Sequence, residues 1–596
     1  MARVGIASSP SFSPDGRHLA FVSNLSGVPQ VWTVPVEGGW PELVTPLDDP
    51  VGFVEWAAEG SWLAFTVAPG GGMNQQVYLS RPDGSGLRRL TAGGRETNSL
   101  AGWTRDGRTL RLGSNVRTGS TVDAYLYDPS TGTARAHTST PGMNLYADVS
   151  RDGTLAVVSR LVSRGDNNLY LVDLASGKET LLTPHQGPGT FGGGRFSPDG
   201  RTVYLSSNED RDTIAFARVA LSPEGRPGPI EVLAGRDDAE LQEFDIDPAG
   251  RSAALVWNAS GRSELAFVDL ATGVSSAGPA LPAEIAFGVV FSKDGGRLAL
   301  TVSGAAAPQD VWILDRAQGA LRQLTRSPHA GIQLTNLVRP TLVRFPSHDG
   351  LEITAWLYRP QGASGPGPLV ISFHGGPEGQ ARPVFRSDLQ ALLGQGISVL
   401  DPNVRGSSGF GKRFVNLDNG PLRRDGVRDI GACLDYVVKA GLADPKKIGI
   451  MGGSYGGYMT MAGLTEYPER FAAGANLFGV VNFATFFAHT EPWMAAISKV
   501  EYGDPETQAE LLRSLSPIHK VDRVKAPTIV LHGANDTNVP VVEAEQVVES
   551  LKRRGVPVEY VLFPDEGHGF RKTRNRVRST VAIVRWFVEH LRPGQP

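Results

Sequence analysis

The sequence contains a single cysteine, Cys433, among its 596 residues. A disulfide within the chain is therefore excluded, and the apolar helical pattern around Cys433 indicates a small buried side chain. Acidic and basic residues nearly balance, at 61 and 58, and no long run of like charge occurs. Such a chain has no electrostatic footprint for nucleic acid or for an anionic membrane, so neither partner is expected.

Long apolar segments and metal-ligand spacings are also lacking. The first ten residues contain no apolar h-region, and no stretch approaches the ~18 apolar residues of a membrane span. We therefore expect a soluble protein located in the cytoplasm. The 11 histidines include no His-x-x-x-His pair and no clustered acidic spacing. Neither a metal nor another cofactor is predicted.

The first half of the chain is a repeat. The turn Ser13-Pro14-Asp15-Gly16-Arg17 recurs at 197–201, with five weaker copies, and the seven turn glycines lie 44 to 50 residues apart at 16, 60, 107, 153, 200, 250 and 295. This spacing matches the ~40 to 50 residue period of propeller blades. An aromatic residue follows each glycine by 16 to 18 positions: Trp32, Tyr78, Tyr125, Tyr170, Phe216, Phe267 and Trp312. We interpret these aromatics as packing between blades, and predict an all-β seven-bladed propeller over residues 1–320.

A different pattern begins after a polar linker at 321–340. A hairpin is predicted around Asp349-Gly350, and short apolar strands then alternate with longer helical stretches through 341–596. Such alternation predicts a mostly parallel sheet covered by helices on both faces. The chain is therefore predicted to have two domains.

The segment Gly452-Gly453-Ser454-Tyr455-Gly456 follows the apolar run 448–451. Small residues around a serine, between a strand and a helix, are typical of the nucleophile elbow of an α/β-hydrolase, because strand and helix pass too close there for side chains. With 72 glycines in the chain, the motif needs support from partner residues.

A serine nucleophile needs a base, and the base needs an acid that orients it. In this fold the expected chain order is Ser, Asp, His. Asp536 and His568 each follow a predicted strand, and the ends of parallel strands meet at one edge of the sheet. Asp565 is a rival acid, but it lies on the same turn as His568. His532 is a rival base, but it precedes the acid, and we interpret it as structural.

Acyl transfer also requires donors for the developing oxyanion. One predicted donor is the backbone N–H of Tyr455. The other is the N–H of Gly376, in the loop His374-Gly375-Gly376-Pro377, whose glycines let the main chain approach a substrate. We interpret His374 as a residue that shapes this loop.

Five motifs in register resemble the prolyl oligopeptidase family, and within it the acylaminoacyl peptidase branch with its bacterial exopeptidase relatives. They are 374–377, Asn403-Val-Arg-Gly-Ser-Ser-Gly-Phe-Gly411, 452–458, His532-Gly-Ala-Asn-Asp536 with Val539-Pro540, and Glu566-Gly-His-Gly-Phe570. The resemblance covers nearly the whole chain. It implies a serine peptidase restricted to short peptides, with the propeller as a size filter.

The resemblance also implies residue roles. Ser454, Asp536 and His568 would form the triad, and Gly376 with Tyr455 the oxyanion hole. The segment that lines the S1 pocket in such enzymes contains Phe478, Phe483, Phe486, Phe487 and Trp493, which would make the pocket apolar. Arg405 would shape its loop or grip a substrate carboxylate.

An acylaminoacyl peptidase-like exopeptidase is the favoured function. A carboxypeptidase, a dipeptidyl peptidase or oligopeptidase, and an esterase stay open as alternatives, because one fold supports several activities. A propeller fused to an inactive hydrolase is disfavoured by the complete set of candidate residues. A homo-oligomer is an expectation from the family alone.

Overall fold

The computed structural model describes residues 1–592 and contains seven four-stranded antiparallel sheets followed by one eight-stranded sheet. The first four sheets contain, in chain order, β1 (Ala7–Phe12), β2 (His18–Ser23), β3 (Gln30–Pro35), β4 (Glu42–Leu43), β5 (Val51–Trp56), β6 (Leu63–Val67), β7 (Gln76–Ser80), β8 (Arg88–Arg89), β9 (Asn98–Trp103), β10 (Leu110–Ser114), β11 (Asp123–Asp128), β12 (Thr133–Ala136), β13 (Met143–Val149), β14 (Leu155–Ser163), β15 (Asp166–Asp173) and β16 (Glu179–Leu181). The next three contain β17 (Phe191–Phe196), β18 (Thr202–Ser207), β19 (Ala215–Leu221), β20 (Pro227–Ala234), β21 (Glu240–Ile246), β22 (Ser252–Ala259), β23 (Arg262–Asp269), β24 (Ser275–Ala277), β25 (Ile285–Phe291), β26 (Arg297–Gly304), β27 (Ala307–Asp315) and β28 (Ala320–Gln323).

The predicted seven-bladed propeller is confirmed. Each of the seven turn glycines joins the first and second strands of its blade and has a positive φ, between 67° and 91°. Asp and Gly fit such turns because they tolerate backbone conformations that β-branched residues avoid. The seven aromatics all lie on the third strands of their blades. The last strand, Ala320–Gln323, extends three residues past the predicted propeller end at 320.

Apolar clusters fill the gaps between neighbouring blades. Blades one and seven share such a cluster, which includes Phe21 and Val311 and closes the ring. Arg297 of the seventh blade also pairs with Glu37 of the first at 2.6 Å. Because every blade consists of four consecutive strands, the ring is closed by side-chain packing, an ion pair and side-chain hydrogen bonds, and not by a strand shared between blades.

The two faces of the propeller differ. Because adjacent strands are antiparallel, the Asp-Gly turns lie on one face and the turns between second and third strands on the other. A cavity of about 490 Å³ lies between the first strands of the blades, near the face that carries the turn glycines. Its lining includes many charged residues. Arg105 reaches Asp148 at 2.7 Å and the Phe196 carbonyl of the fifth blade, while the Lys293 ammonium donates to the Ala58 carbonyl. Charged side chains thus connect different blades at this end.

The eight-stranded sheet has the order β29-β30-β32-β31-β33-β34-β35-β36 and is parallel from β32 onward. Its strands are β29 (Thr341–Pro346), β30 (Glu352–Tyr358), β31 (Gly367–Phe373), β32 (Ser398–Asn403), β33 (Ala443–Gly453), β34 (Ala473–Leu477), β35 (Thr528–Gly533) and β36 (Val558–Phe563). The predicted hairpin around Asp349-Gly350 joins β29 to β30. This mostly parallel sheet confirms the α/β-hydrolase prediction.

Helices cover both faces of this sheet. They are α1 (Ser387–Gly394), α2 (Lys412–Val415), α3 (Arg423–Lys439), α4 (Tyr455–Glu466), α5 (Phe483–His489), α6 (Pro492–Tyr502), α7 (Ala509–Leu515), α8 (Val542–Arg553) and α9 (Thr573–Leu591). Two apolar clusters lie on opposite faces of the sheet, and Cys433 is buried in one of them as predicted. Within residues 1–592, none of the helices combines the length and apolarity that crossing a bilayer requires.

The propeller face with the second-to-third-strand turns packs on the hydrolase domain. Val122 is buried in the hydrolase core, and Leu145 packs against it. Asp212 of the fifth blade pairs with Arg413 at 3.1 Å. The interface therefore combines apolar burial with ion pairs.

Candidate active site

Ser454 lies between β33 and α4 in a conformation that L residues rarely adopt, with φ 58° and ψ −121°. Its N–H donates to the Leu477 carbonyl at 3.0 Å, which ties the turn to β34. A Cβ built on Gly452 would lie 2.4 Å from the Gly456 carbonyl oxygen, and one on Gly456 would lie 2.1 Å from the Phe373 carbonyl oxygen. Strand and helix thus leave no room for side chains on either side of the serine, as the motif predicts.

The tight contact at Gly456 gives a testable prediction. We expect Gly456→Ala to lower the thermal unfolding midpoint, because overpacking of this kind costs typically ~1–3 kcal/mol. Gly394→Ala is the matched control, since its Cβ would have no atom within 4 Å. Differential scanning fluorimetry of both variants tests this, and equal midpoints would contradict the crowding.

Asp536 and His568 meet beyond the carboxyl ends of β35 and β36. The Nδ1 atom of His568 lies 2.7 Å from Oδ2 of Asp536. The other carboxylate oxygen accepts the N–H groups of Asn538 and Val539, at 3.0 and 2.9 Å. The Asp536 carboxylate is fully buried, while the His568 ring keeps 15% of its surface exposed. A buried and oriented carboxylate therefore bonds one ring nitrogen of an imidazole that is still accessible to solvent.

The two rivals have other partners. Burial opposes ionisation of Asp565, but hydrogen bonds from Arg574 and Asn575 lower its pKa to about 2. His532 is buried, and its Nε2 lies 2.8 Å from the Val539 carbonyl. Its Nε2 also lies 3.6 Å from Oδ2 of Asp536, and its Nδ1 has no hydrogen-bond partner within residues 1–592.

The loop that carries His568 is anchored on both sides. Oε1 of Glu566 accepts the N–H groups of Arg571 and Lys572. From the propeller, the second blade contributes Gly71, whose carbonyl oxygen would lie 2.1 Å from a Cβ built on Gly567. The propeller backbone thus passes directly beside the residue that precedes His568.

The loop after β31 runs beside the serine. A Cβ built on Gly375 would lie 3.3 Å from the Cβ of Ser454. Gly376 has a φ of 134°, and a Cβ there would meet the Gly379 backbone nitrogen at 2.4 Å, so this position requires glycine. His374 bonds the Gly375 carbonyl and Ser407, contacts that agree with its interpretation as loop-shaping.

Residues 383–594 match the family model described as "Prolyl oligopeptidase family". The C-terminal domain belongs to the prolyl oligopeptidase family. The protein is accordingly a hydrolase of the serine peptidase type.

Similar proteins extend over both domains. Dipeptidyl aminopeptidase BIII of Pseudoxanthomonas mexicana is 29% identical over 94% of this chain and 84% of its own. A puromycin-hydrolysing peptidase of Mycobacterium tuberculosis has a similar structure, with a TM-score of 0.86 at 20% identity over 99% of this chain and 95% of that one. The acylaminoacyl peptidase of Pyrococcus horikoshii gives a TM-score of 0.72 at 20% identity over 100% and 97%. At these identities the two structures establish the fold.

Arg405 of the prolyl oligopeptidase domain is buried in an ionic cluster. Its guanidinium bonds Asp429, Asp349 and Ser347, and every nitrogen has a partner. Its side chain is only 4% exposed, so these contacts favour the loop-shaping alternative over the gripping of a substrate carboxylate.

The predicted pocket aromatics separate into two groups. Phe478 packs its ring edge-on against His568, at 4.9 Å between centroids. Phe483 and Phe486 are buried against Tyr502 of α6. Trp493 is also buried on α6, and half-buried Phe487 packs against Phe486. Among the ring contacts of residues 1–592, Phe478 is the predicted aromatic that packs against a candidate catalytic side chain.

A buried ionic group below the serine was absent from the sequence predictions. Arg423 pairs with Asp418 at 2.9 Å and with Glu501, and its guanidinium lies over the rings of Tyr455 and Tyr502. Burial raises the pKa of Glu501, although Arg423 opposes the shift. The Tyr455 hydroxyl donates to Asp418 at 3.2 Å and the Tyr502 hydroxyl to the Gly376 carbonyl at 3.4 Å. This group therefore connects the two predicted oxyanion loops.

Proposed function

We propose that the protein hydrolyses short peptides through an acyl-enzyme intermediate on Ser454. His568 takes the proton from the Ser454 hydroxyl as its oxygen attacks the substrate carbonyl carbon, and Asp536 keeps the imidazole in the required tautomer. The N–H groups of Gly376 and Tyr455 stabilise the oxyanion. His568 then protonates the leaving amine, and a water molecule attacks the ester to release the acid and restore the serine.

The observation that carries this proposal is the 2.7 Å contact between His568 and Asp536 at the sheet edge that bears Ser454. The left-handed backbone of Ser454 supports its role as nucleophile, because such strain persists where the surrounding structure and a function require it. The glycine loop beside the serine supports an oxyanion hole. These features together favour acyl transfer over other serine chemistry.

We further propose that cleavage occurs near the amino end of short peptides. One full-length relative is named a dipeptidyl aminopeptidase and a structural neighbour an acylaminoacyl peptidase. The charged side chains that line the propeller cavity support a size filter, because they hold different blades together around a cavity of about 490 Å³, far less volume than a folded protein occupies. An acylaminoacyl-type exopeptidase remains the first choice, and a dipeptidyl aminopeptidase is the second candidate because that relative matches 94% of the chain.

A peptide mixture tests the proposed specificity. One ten-residue peptide is prepared in three forms: with both ends free, with an acetylated amino end, and with an amidated carboxyl end. The three forms and a folded protein are incubated with the enzyme, and the masses of the products are followed over time. We expect release of a fragment of one or two residues from the amino end, equal rates with and without the amide, and an intact folded protein. Faster cleavage of the acetylated form indicates an acylaminoacyl-type exopeptidase, and release of dipeptides from the free form indicates a dipeptidyl aminopeptidase.

Loss of rate on amidation would contradict cleavage near the amino end and indicate a carboxypeptidase. Hydrolysis of small esters without any peptide cleavage would indicate an esterase. Ser454→Ala protein serves as the control for contaminating peptidases.

A further inference from the structure

The fourth blade extends one arginine into the hydrolase domain. Arg164 occupies the turn between β14 and β15, and its Nη1 donates to the Gly376 carbonyl at 3.2 Å and to Oε2 of Glu378 at 2.9 Å. Both acceptors belong to the loop that follows β31 and runs beside Ser454. A single guanidinium from the propeller therefore holds this loop at two points.

Arg164 is itself fixed by α6. Its backbone N–H donates to the Ile497 carbonyl at 3.3 Å, and its Nη2 lies 3.3 Å from Sδ of Met494. The side chains of Arg164 and Glu378 are only 17% and 23% exposed. An ion pair so removed from water is screened less than a surface pair, so it can hold its geometry against solvent.

The Gly376 carbonyl thus receives two donors, one from each domain. The second is the Tyr502 hydroxyl at 3.4 Å, on the hydrolase side. Glycine residues lose the most conformational freedom on ordering, so the Gly375-Gly376 segment depends on outside contacts for its position. An oxyanion donor must lie 2.7–3.1 Å from the developing charge to be effective. Small displacements of this loop therefore matter for the rate.

We infer that Arg164 is a positioning residue for the Gly376 loop, so that a complete oxyanion hole requires the fourth blade to be docked on the hydrolase domain. The inference rests on the proposed function, in which the Gly376 N–H stabilises the oxyanion. Arg164 does not touch the reacting atoms, since its contact is with the Gly376 carbonyl. If the fourth blade undocked, the Gly376 carbonyl would lose the Arg164 guanidinium as a donor and the loop would become free to move. Hydrolysis would then slow even if the two domains did not separate further.

The chain offers a matched control for this inference. Asp212 of the fifth blade and Arg413 of α2 form another ion pair across the same interface, at 3.1 Å. Among the contacts of residues 1–592, neither of them bonds the Gly376 loop. Loss of this pair weakens docking without altering the loop directly.

The experiment uses the full chain with Arg164→Ala, Arg164→Lys and Arg413→Gln, and a peptide p-nitroanilide that the unmodified protein hydrolyses. We expect Arg164→Ala to lower kcat about tenfold to a hundredfold with little change in KM, because a displacement of ~1 Å costs up to about 10²-fold. Lysine should restore part of the rate, since an ammonium can reach one of the two acceptors but not both. Arg413→Gln should retain kcat within about twofold, as expected for an exposed ion pair.

Amide hydrogen exchange of residues 374–379 provides a readout that does not depend on hydrolysis. Exchange there should be faster in the Arg164→Ala protein than in the Arg413→Gln protein. The inference is overturned if both variants have equal kcat and equal exchange, or if the loss is confined to KM, which would make Arg164 a substrate contact. If the Arg164→Ala protein does not fold, kcat and exchange of the Arg164→Lys protein are compared with those of Arg413→Gln in its place. If the unmodified protein hydrolyses no peptide although the amides of 374–379 exchange slowly, the result counts against the proposed function and not against the role of Arg164 in holding the loop.

Discussion

Ser454→Ala is expected to abolish peptide hydrolysis while the protein stays folded. The substitution removes the only atom that the proposed mechanism acylates, and loss of such a nucleophile lowers kcat by about 10⁶-fold in serine peptidases. The free energy of unfolding should change little, because alanine removes only the hydroxyl oxygen of a half-buried residue and keeps the backbone hydrogen bond to Leu477. Steady-state kinetics and circular dichroism of the same preparation measure both effects.

Ser579→Ala is the control for this experiment. Ser579 is buried on α9, and its hydroxyl donates to the Arg576 carbonyl within that helix. Its removal should leave kcat unchanged. Retention of more than a hundredth of the activity by Ser454→Ala would mean that the nucleophile lies elsewhere.

Asp536→Asn should produce the second-largest loss, about 10⁴-fold in kcat, because an amide in place of the carboxylate stabilises the wrong imidazole tautomer. The Asp536 carboxylate bonds Nδ1 of His568 with one oxygen and two backbone N–H groups with the other. An asparagine that keeps its oxygen toward those N–H groups turns its NH₂ toward the histidine. The folded structure should survive while the base is lost.

Asp565→Asn separates the two candidate acids. Asp565 lies three residues before His568 but bonds residues of α9, among them Asn575 at 3.0 Å. We expect kcat of this variant to stay within a fewfold of the unmodified value, because the Asp565 carboxylate bonds α9 and not His568. A larger loss in Asp565→Asn than in Asp536→Asn, measured side by side at pH 8, would reverse the assignment.

The propeller could be predicted from the sequence because its local chemistry repeats. A turn glycine with positive φ and an aromatic on the third strand recur in every blade, so seven weak signals support one another. The hydrolase sheet was predicted equally well because its strands are short apolar runs separated by helices. Ser454, Asp536 and His568 could be proposed as a triad because each lies within a few residues of the end of such a strand.

Contacts between charged residues of different elements could not be predicted in this way. Arg164 belongs to an Arg-Gly-Asp tripeptide at a hairpin turn, a pattern that chance supplies and that says nothing of a partner more than 200 residues away in the chain. Arg423 lies in an ordinary helical pattern, and its burial between Asp418 and Glu501 depends on how α3 and α6 pack. Arg405 was placed in the right loop, but its partner Asp429 is contributed by α3. Long-range charge pairing leaves no periodic signal in a sequence.

Covalent labelling decides whether Ser454 is the residue that the proposed peptidase acylates. A fluorophosphonate is added to the native protein, its intact mass is recorded, and the modified residue is located by peptide mapping, with Asp536→Asn protein labelled in parallel. We predict one adduct per chain, on Ser454, formed much more slowly in the Asp536→Asn protein. Failure of the native protein to label, or an adduct on any other residue, would contradict the account.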